Sequence, residues 1–550
     1  MLAKVAMFEM LRARGVRHVF GNPGTTELNF MEMFADYPDI RYVLALQDAI
    51  PVGMAYGYAQ ATGEPAFVNL HITPGLANGL GNIFNAYRAK VPVVVTAGQV
   101  DTRMMLQEPS LWSDLARLAS PYTKWSYEAR APEDVPVALA RAFKTAAAPP
   151  TGPVFLGLPM DCLDGEVPGP APWFEVEPDT MPSPAVLDRI AAALAGARDP
   201  VVIVGGGAAG AGARAALVRI AEATGARVYG ERLPTRSAFP TDHPQYLGMA
   251  GLALPELQAE IGAADAVVLA GARKFAGLLY TPPVHLAART TVVHIDPDPW
   301  ELGKNVIPTI GAVGHVGATL TEVADRLAAR LGTDGRAAGA EQRRRAVAEE
   351  RARREERWRQ AATPPKAGER MSAACAYRIL GETMTEATTI VDEAVTAARI
   401  VDRYLPLRTE RSYFGIAAGS LGLGLPAALG AQMAWPDRHV VCTIGDGSLM
   451  YTVQALWTAA RYHIPVTVFV VDNRAYEVLK SGMRSYKGGS VRRERLVGMD
   501  LDEPVIDISA VARGFGVASR VVNEPGELRE TLAEPAAEPR LLDVLVREET

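Results

Sequence analysis

Short apolar runs alternate with longer stretches whose apolar residues recur every third or fourth position, from one end of the chain to the other. The runs are "HVFG", "YVLAL", "PAFVNL", "PVVVTAG" and "PVFLGLP", then "PVVIVGGG", "AVVLAG" and "TVVHIDP", and finally "TIVDEA", "HVVCTIGDG", "PVTVFVVDN" and "RLLDVLV". Continuous apolar runs separated by amphipathic segments predict parallel strands, covered on both faces by crossover helices. The fold class expected is therefore α/β, with three doubly wound parallel-sheet domains.

Two breaks divide the rhythm. "DGEVPGPAPWFEVEPDTMPSP", residues 164–184, is rich in proline and aperiodic, as an interdomain strap would be. Within 333–370, "EQRRRAVAEERARREERWRQ" sets Arg345 against Glu349, Glu349 against Arg353 and Glu350 against Arg354 at i,i+4 spacing, which predicts a solvated linker helix. The expected units are 1–165, 182–332, the charged linker helix in 333–370, and 371–550.

Composition narrows the partners. With 550 residues and 49% hydrophobic content the chain can bury several cores, and its net charge of -6 offers no basic excess for nucleic acid or an anionic membrane. Cys162, Cys375 and Cys442 stand far apart in no ligand spacing, which argues against a disulfide framework and a structural zinc site. Lys4, Glu9, Arg12 and Arg14 interrupt the N-terminal apolar residues at helical spacing, so no signal peptide is read there. A soluble cytoplasmic protein acting on a small molecule is expected.

Two glycine-rich turns invite chemistry. In "VVIVGGGAAGAGARAAL", Gly205, Gly207 and Gly210 follow a strand in G-x-G-x-x-G register, yet the next acidic residue past the following strand, Glu231, comes 26 positions after Gly205, late for a ribose contact. Close helix–strand packing explains those glycines without a nucleotide. In "IGDGSLMYTV", Asp446 lies between Gly445 and Gly447 at the end of a buried run, and Asn473 follows 27 residues later, past one helix and one strand. Adjacent parallel strands end on the same sheet edge, so Asp446 and Asn473 would project together, with the Ala475 carbonyl near them. That is half of an octahedral magnesium shell, completed by phosphate oxygens and water. Open backbone amides at Gly445 and Gly447, and the helix start at Ser448, suit an anion.

This arrangement resembles the thiamine-diphosphate motif. With it, "GNPGTTELNFMEMF", "LALQDAIPVGMAYGYAQATGEPAFVNLHITPG", "SYEARAPEDVPVALARAF", "AFPTDHP" and "GSLGLGLPAALGAQMAWPDRHVVCTIGDGS" are similar to benzoylformate decarboxylase and its acetolactate-synthase-like relatives, over essentially the whole chain. The resemblance implies a pyrimidine-binding domain, a central Rossmann-like domain and a diphosphate-binding domain, in that order. It implies thiamine diphosphate and Mg2+ as cofactors, a 2-oxo acid substrate, and a cofactor held between the first domain of one subunit and the third of another, hence a homodimer at minimum and usually a homotetramer. By resemblance Asp446, Asn473 and the Ala475 carbonyl hold magnesium; Gly445, Gly447, Ser448, Tyr451 and Tyr476 line the diphosphate; Thr396 binds the cofactor; Leu421 wedges beneath it; and the Gly419 carbonyl accepts from its aminopyrimidine. Asn22, Pro23 and Gly24 approach from the other subunit. Ser110, Leu111, Val478 and Leu479 would border the substrate with a mostly apolar lining. "VVHIDPDPWELGKN" resembles the end of the flavin domain of acetolactate synthases, but flavin is not expected.

The chain departs from that family at two places. The carboxylate that activates the cofactor is normally a glutamate in a "QE" pair, and here the pair is Gln47-Asp48. Aspartate retracts the carboxylate by ~1.5 Å, which would stretch a contact of ~2.7 Å to roughly 4 Å unless the strand end advances or a water bridges. A working variant, a water-relayed slow base and an abandoned reaction all stand as readings of Asp48. Glu27, in "GTTEL", could lend acidity or cap a helix. His71, in "NLHITPG", matches the single first-domain histidine of benzoylformate-type enzymes. Their second histidine falls near Leu278 or Leu279, where this chain has none, and His285 lies a few residues on. Pyruvate decarboxylases carry a His-His pair and a glutamate six residues after the metal asparagine; this chain has Leu479 there. Arg484, Lys487, Arg492 and Arg493 either meet a second carboxylate or solvate a loop. The expected activity is nonoxidative decarboxylation of a 2-oxo acid, with Asp48 and His71 as catalytic residues. A carboligase of the acetolactate-synthase kind and a non-catalytic thiamine-diphosphate-binding protein are the alternatives.

Overall fold

The computed structural model describes the chain except residues 175, 177–179, 252–253, 274–285, 333–336, 338, 417, 487–488, 493–494, 535 and 548–550. Three six-stranded sheets follow one another along it, with helices between strands, as the apolar rhythm predicts. The first holds β1 (His18–Gly21), β2 (Arg41–Leu44), β3 (Ala66–Leu70), β4 (Val93–Gln99), β5 (Ser126–Glu128) and β6 (Val154–Pro159), in the order β2-β1-β3-β4-β6-β5. The second holds β7 (Pro200–Val204), β8 (Arg227–Gly230), β9 (Tyr246–Met249), β10 (Ala266–Ala270), β11 (Thr291–Asp296) and β12 (Ile310–Val313), in the order β12-β11-β10-β7-β8-β9. The third holds β13 (Thr388–Glu393), β14 (Tyr413–Gly415), β15 (His439–Gly445), β16 (Thr467–Asp472), β17 (Ala518–Val522) and β18 (Arg540–Leu545), in the order β14-β13-β15-β16-β18-β17. Every ladder between these strands is parallel.

The first and third sheets have the same topology. In each, the chain steps out to one edge after its first strand and returns on the other side, leaving a crevice between β1 and β3 and between β13 and β15 at the carboxyl ends, where open α/β sheets bind ligands. The two units share one apolar core, joined where the Ala49–Thr62 helix crosses the Gly424–Ala434 helix. Glycine permits that crossing. A Cβ on Gly57 would lie 1.9 Å from the Ala427 carbonyl oxygen, and one on Gly430 would lie 1.9 Å from that of Met54. The central sheet has cores of its own.

The charged segment forms the Ala340–Ala361 helix, but it is not solvated all round. Arg351 is buried and donates to the Tyr246 carbonyl at 2.7 Å while pairing with Glu355, and Arg354 reaches the Leu247 carbonyl at 2.8 Å, so the helix docks on β9. The Glu350–Arg354 pair is present, whereas Arg345 turns back to Glu341. Among the described residues no helix is long and apolar enough to cross a membrane.

Candidate active site

The carboxyl edge of the third sheet encloses a cavity of about 80 Å³. Thr396, Leu421, Gly445, Asp446, Gly447, Ser448, Asn473, Ala475, Tyr476 and Val478 line it, so ten residues singled out from the sequence are brought together there. β15 ends at Gly445 and delivers Asp446; β16 ends at Asp472 and delivers Asn473. Register explains the meeting, because Gly445 pairs with Val471 on the neighbouring strand. The turn after β16 is tight: Arg474 sits at φ 57, its N–H donates to Asp472 Oδ1 at 2.9 Å, and the Ala475 N–H donates to Asn473 Oδ1 at 3.0 Å.

Charge at this edge is unbalanced. Asp446 is 7% exposed; its Oδ1 accepts from the Gly447 N–H at 2.8 Å, and its Oδ2 is buried with no hydrogen-bond partner among the described residues. Burial, and next the neighbouring Asp472 carboxylate, push Asp446 up to about 7. Asp543 on β18 is likewise pushed up to about 7, by burial and then by Asp472. A buried carboxylate oxygen without a donor is costly, and a hard divalent cation is the partner that oxygen ligands of this kind suit. The Asp446 carboxylate, the Asn473 side-chain oxygen and the Ala475 carbonyl therefore fit a magnesium ion, whereas the Gly447 amide, expected to be open to an anion, is spent on Asp446 Oδ1.

Leu421 reaches the cavity from a loop with two left-handed glycines, Gly419 at φ 78 and Gly422 at φ 91. Glu393, at the end of β13, anchors that loop from behind: it accepts from the Gly422 N–H at 2.6 Å and also from the Gly424 N–H. Burial pushes Glu393 up to about 8. Sequence reading passed over Glu393, and over Glu477 and Arg547, which also line the cavity. Position at a strand end or helix start was the available signal for all three. Gly419, Tyr451 and Leu479 are not among the lining residues; Tyr451 and Leu479 are about half exposed beside it.

A second cluster sits at the corresponding crevice of the first sheet. Asn22 follows β1, Asp48 lies beyond β2 at the start of the Ala49–Thr62 helix, and His71 follows β3 at the start of the Ile72–Ala89 helix. Asp48 is 6% exposed, with Oδ1 3.3 Å from Asn22 Nδ2 and Oδ2 3.3 Å from Asn78 Nδ2, and burial raises its pKa. Gly24 lies flat on the imidazole: a Cβ there would fall 2.0 Å from His71 Nδ1. Glu27 is fully buried and takes N–H donors from Gly24 at 2.7 Å, Gly98 at 2.9 Å and Ile72 at 3.2 Å, the Thr26 hydroxyl at 2.7 Å, and His71 Nδ1 at 3.0 Å. It caps its own turn and also holds the histidine. With so many donors converging, Glu27 is the acceptor, so Nδ1 carries the proton and Nε2 is left free. Ser110 and Leu111 are exposed on the segment leading to Ser113, whose hydroxyl lies 2.7 Å from that of Thr73.

None of Asn22, Pro23, Gly24, Asp48, His71, Ser110 or Leu111 lines the third-unit cavity of the same chain. In the central unit the Gly205 turn is filled by the protein itself: Glu231 accepts from the Gly206 N–H and from the Arg273 N–H, each at 2.8 Å. Leu278, Leu279 and His285, and Lys487 and Arg493, lie outside the described residues. Arg484 is 2.6 Å from the Glu477 carboxylate rather than free for a ligand.

Residues 1–114 match the thiamine pyrophosphate enzyme N-terminal TPP binding domain, residues 187–323 the central domain, and residues 394–544 the C-terminal TPP binding domain. Benzoylformate decarboxylase of Pseudomonas aeruginosa is 33% identical over 98% of this chain and 98% of its own length. The acetolactate synthase isozyme 3 large subunit of Escherichia coli is 29% identical over 96% of this chain and 91% of its own. Among solved structures, the thiamine diphosphate-dependent 4-hydroxybenzoylformate decarboxylase of Rhodococcus jostii superposes with a TM-score of 0.87 at 30% identity, covering 100% of both chains.

Proposed function

The chain belongs to the thiamine pyrophosphate enzyme family, and from that premise we propose that it catalyses the nonoxidative decarboxylation of a 2-oxo acid with an apolar or aromatic substituent. Asp446, Asn473 and the Ala475 carbonyl hold Mg2+; Thr396, Gly445, Gly447, Ser448, Tyr451 and Tyr476 hold the diphosphate; Leu421 and the Gly419 carbonyl support the rings. Asn22, Pro23, Gly24 and Asp48 of a second copy close the site, which makes the working unit a homodimer at least. The absence of the whole first-unit cluster from the third-unit cavity of its own chain supports that closure. When bound, thiamine diphosphate supplies the carbon nucleophile and electron sink for cleaving a bond next to a carbonyl.

The protein's own groups manage protons and water. Asp48, buried and gripped by two asparagine amides, moves a proton at the edge of the pyrimidine. His71 takes a proton from water on Nε2 and returns it to the carbon from which carbon dioxide has departed, while the bond from Nδ1 to Glu27 aims the ring and supports its positive charge. That fixed imidazole, in one cluster with Asp48, is the observation that carries the decarboxylase reading. Leu111, Val478 and Leu479 exclude water around the substituent, in keeping with relatives named for benzoylformate and 4-hydroxybenzoylformate.

The test is incubation of purified protein with thiamine diphosphate, Mg2+ and a panel of 2-oxo acids, with and without an acceptor aldehyde. Carbon dioxide and aldehyde alone support the reading. An acyloin or acetohydroxy acid as the main product replaces it with a carboligase, and tight cofactor uptake without turnover replaces it with a non-catalytic binder.

A further inference from the structure

Two asparagines on the Ile72–Ala89 helix join the turn that carries Asp48 to the loop that carries Leu421, although these belong to different units. Asn82 is 1% exposed, and its Nδ2 donates both to the Ala49 carbonyl at 2.8 Å and to the Gly422 carbonyl at 3.2 Å. Ala49 directly follows Asp48, and Gly422 directly follows Leu421. Asn85, one turn on and fully buried, donates from Nδ2 to the Ser420 carbonyl at 2.8 Å and to Asn82 Oδ1 at 3.0 Å. Each amide group thus uses both of its N–H bonds, and the orientation of Asn82 is determined: turned over, its oxygen would face two carbonyl oxygens.

The Gly422 peptide is the point being held. Its N–H goes to Glu393, and its carbonyl takes Asn82 and the Thr452 hydroxyl, the latter at 3.2 Å. Glu393 and Thr452 come from the third unit, and Asn82 alone of the three comes from the first. Buried polar pairs between packed helices are retained at a cost in desolvation, which two apolar side chains of this size would not incur. Register between two segments is what such a pair supplies.

We propose that Asn82 is a positioning residue for the reaction: it holds in fixed register the Leu421 loop of one site and the Asp48 turn that the same chain lends to the neighbouring site, with Asn85 locking its amide. The inference rests on the reading that these two segments serve thiamine diphosphate, each in one of the two sites of a dimer. In Asn82→Ala, hydrogen exchange on the cofactor-free protein should accelerate at the amides of residues 419–424 by about tenfold, as expected for one lost buried hydrogen bond, while β13 and β15 keep their protection. Thiamine diphosphate affinity measured calorimetrically with Mg2+ should weaken by about the same factor, with kcat reduced and KM for the 2-oxo acid unchanged. Thr452→Val should give a smaller change of the same kind, and the double variant should fall short of additivity because both residues serve one carbonyl. Wild-type exchange at 419–424 in a folded Asn82→Ala protein overturns the proposal, as does faster exchange with unaltered cofactor affinity and kcat. Should the alanine variant fail to fold, Asn82→Ser, read on the same scales, decides. If the wild-type protein takes up no thiamine diphosphate, the functional reading fails, and the exchange arm still judges the clamp by itself.

Discussion

Glu27 Oε2 lies 3.0 Å from Nδ1 of His71, at the end of β3 and within the cluster that also holds Asp48. The pair fixes which imidazole nitrogen faces the crevice. Glu27→Gln keeps the size of the side chain but offers an amide where an acceptor is needed. Turnover should fall by roughly 10²-fold, the lower range for a misdirected acid–base group, with thiamine diphosphate affinity retained. Steady-state kinetics beside a calorimetric titration check this, and His71→Ala combined with Glu27→Gln should be no worse than His71→Ala alone.

Asp48 sits where longer relatives of its side chain are the family norm, and both its oxygens are held at 3.3 Å by asparagine amides. Asp48→Asn should lower kcat by about 10²- to 10⁴-fold without altering the melting temperature by much. Where a bridging water limits the present enzyme, Asp48→Glu should raise turnover, because the added methylene brings the carboxylate ~1.5 Å nearer its target. Equal or slower turnover on the preferred substrate rejects a bridging water in the present enzyme.

Asp446 faces the opposite demands of stability and binding. Its charge is buried beside Asp472, and Oδ2 has no hydrogen-bond partner among the described residues. Asp446→Asn should raise the melting temperature of the cofactor-free protein, since a repelling buried charge is removed. The same variant should lose the further rise that Mg2+ and thiamine diphosphate give the wild type, a contrast that differential scanning fluorimetry reads directly.

Acid should stabilise the cofactor-free protein. Glu393 is pushed up to about 8, and Asp446 and Asp543 to about 7, from ordinary values of 4.5 and 3.8. The native state therefore keeps protons that the unfolded chain has released, and stability falls as pH rises between about 5 and 8. Melting temperatures across that range should decline, and saturating Mg2+ with thiamine diphosphate should flatten the Asp446 share of the decline.

Glu231 already takes the Gly206 N–H, a donor in the glycine-rich turn of the central unit, together with that of Arg273. Neither FAD nor NAD should shift the melting temperature, and the purified protein should be colourless. Glu231→Ala should destabilise by about 1–3 kcal/mol, since the Gly206 and Arg273 amides lose their acceptor; urea titration checks this.

The apolar rhythm made the three parallel sheets legible because interior strands are covered on both faces. The strands it missed lie at or beside sheet edges, where that signal fades: β17 is mostly exposed, β12 alternates buried and exposed, and β5 and β14 have three residues each. In the third unit, Asp446 and Asn473 could be read because consecutive strand ends bring near-sequence residues to one edge. Asn78, Asn82, Asn85 and Glu393 could not, since the meaning of each comes from a backbone group or side chain it faces across the fold. Glu27 offers two readings in the sequence, a source of acidity or a cap; it is a cap, and its hold on His71 needed the position of a residue 44 places away.

The crossing of the Ala49–Thr62 and Gly424–Ala434 helices brings backbone against backbone at Gly57 and Gly430, with no space for even a methyl group. A library of random variants selected for folded protein should therefore be blank at those two codons and permissive along the exposed β17 edge. That crossing is a fixed hub, and any new specificity must be written around it rather than through it.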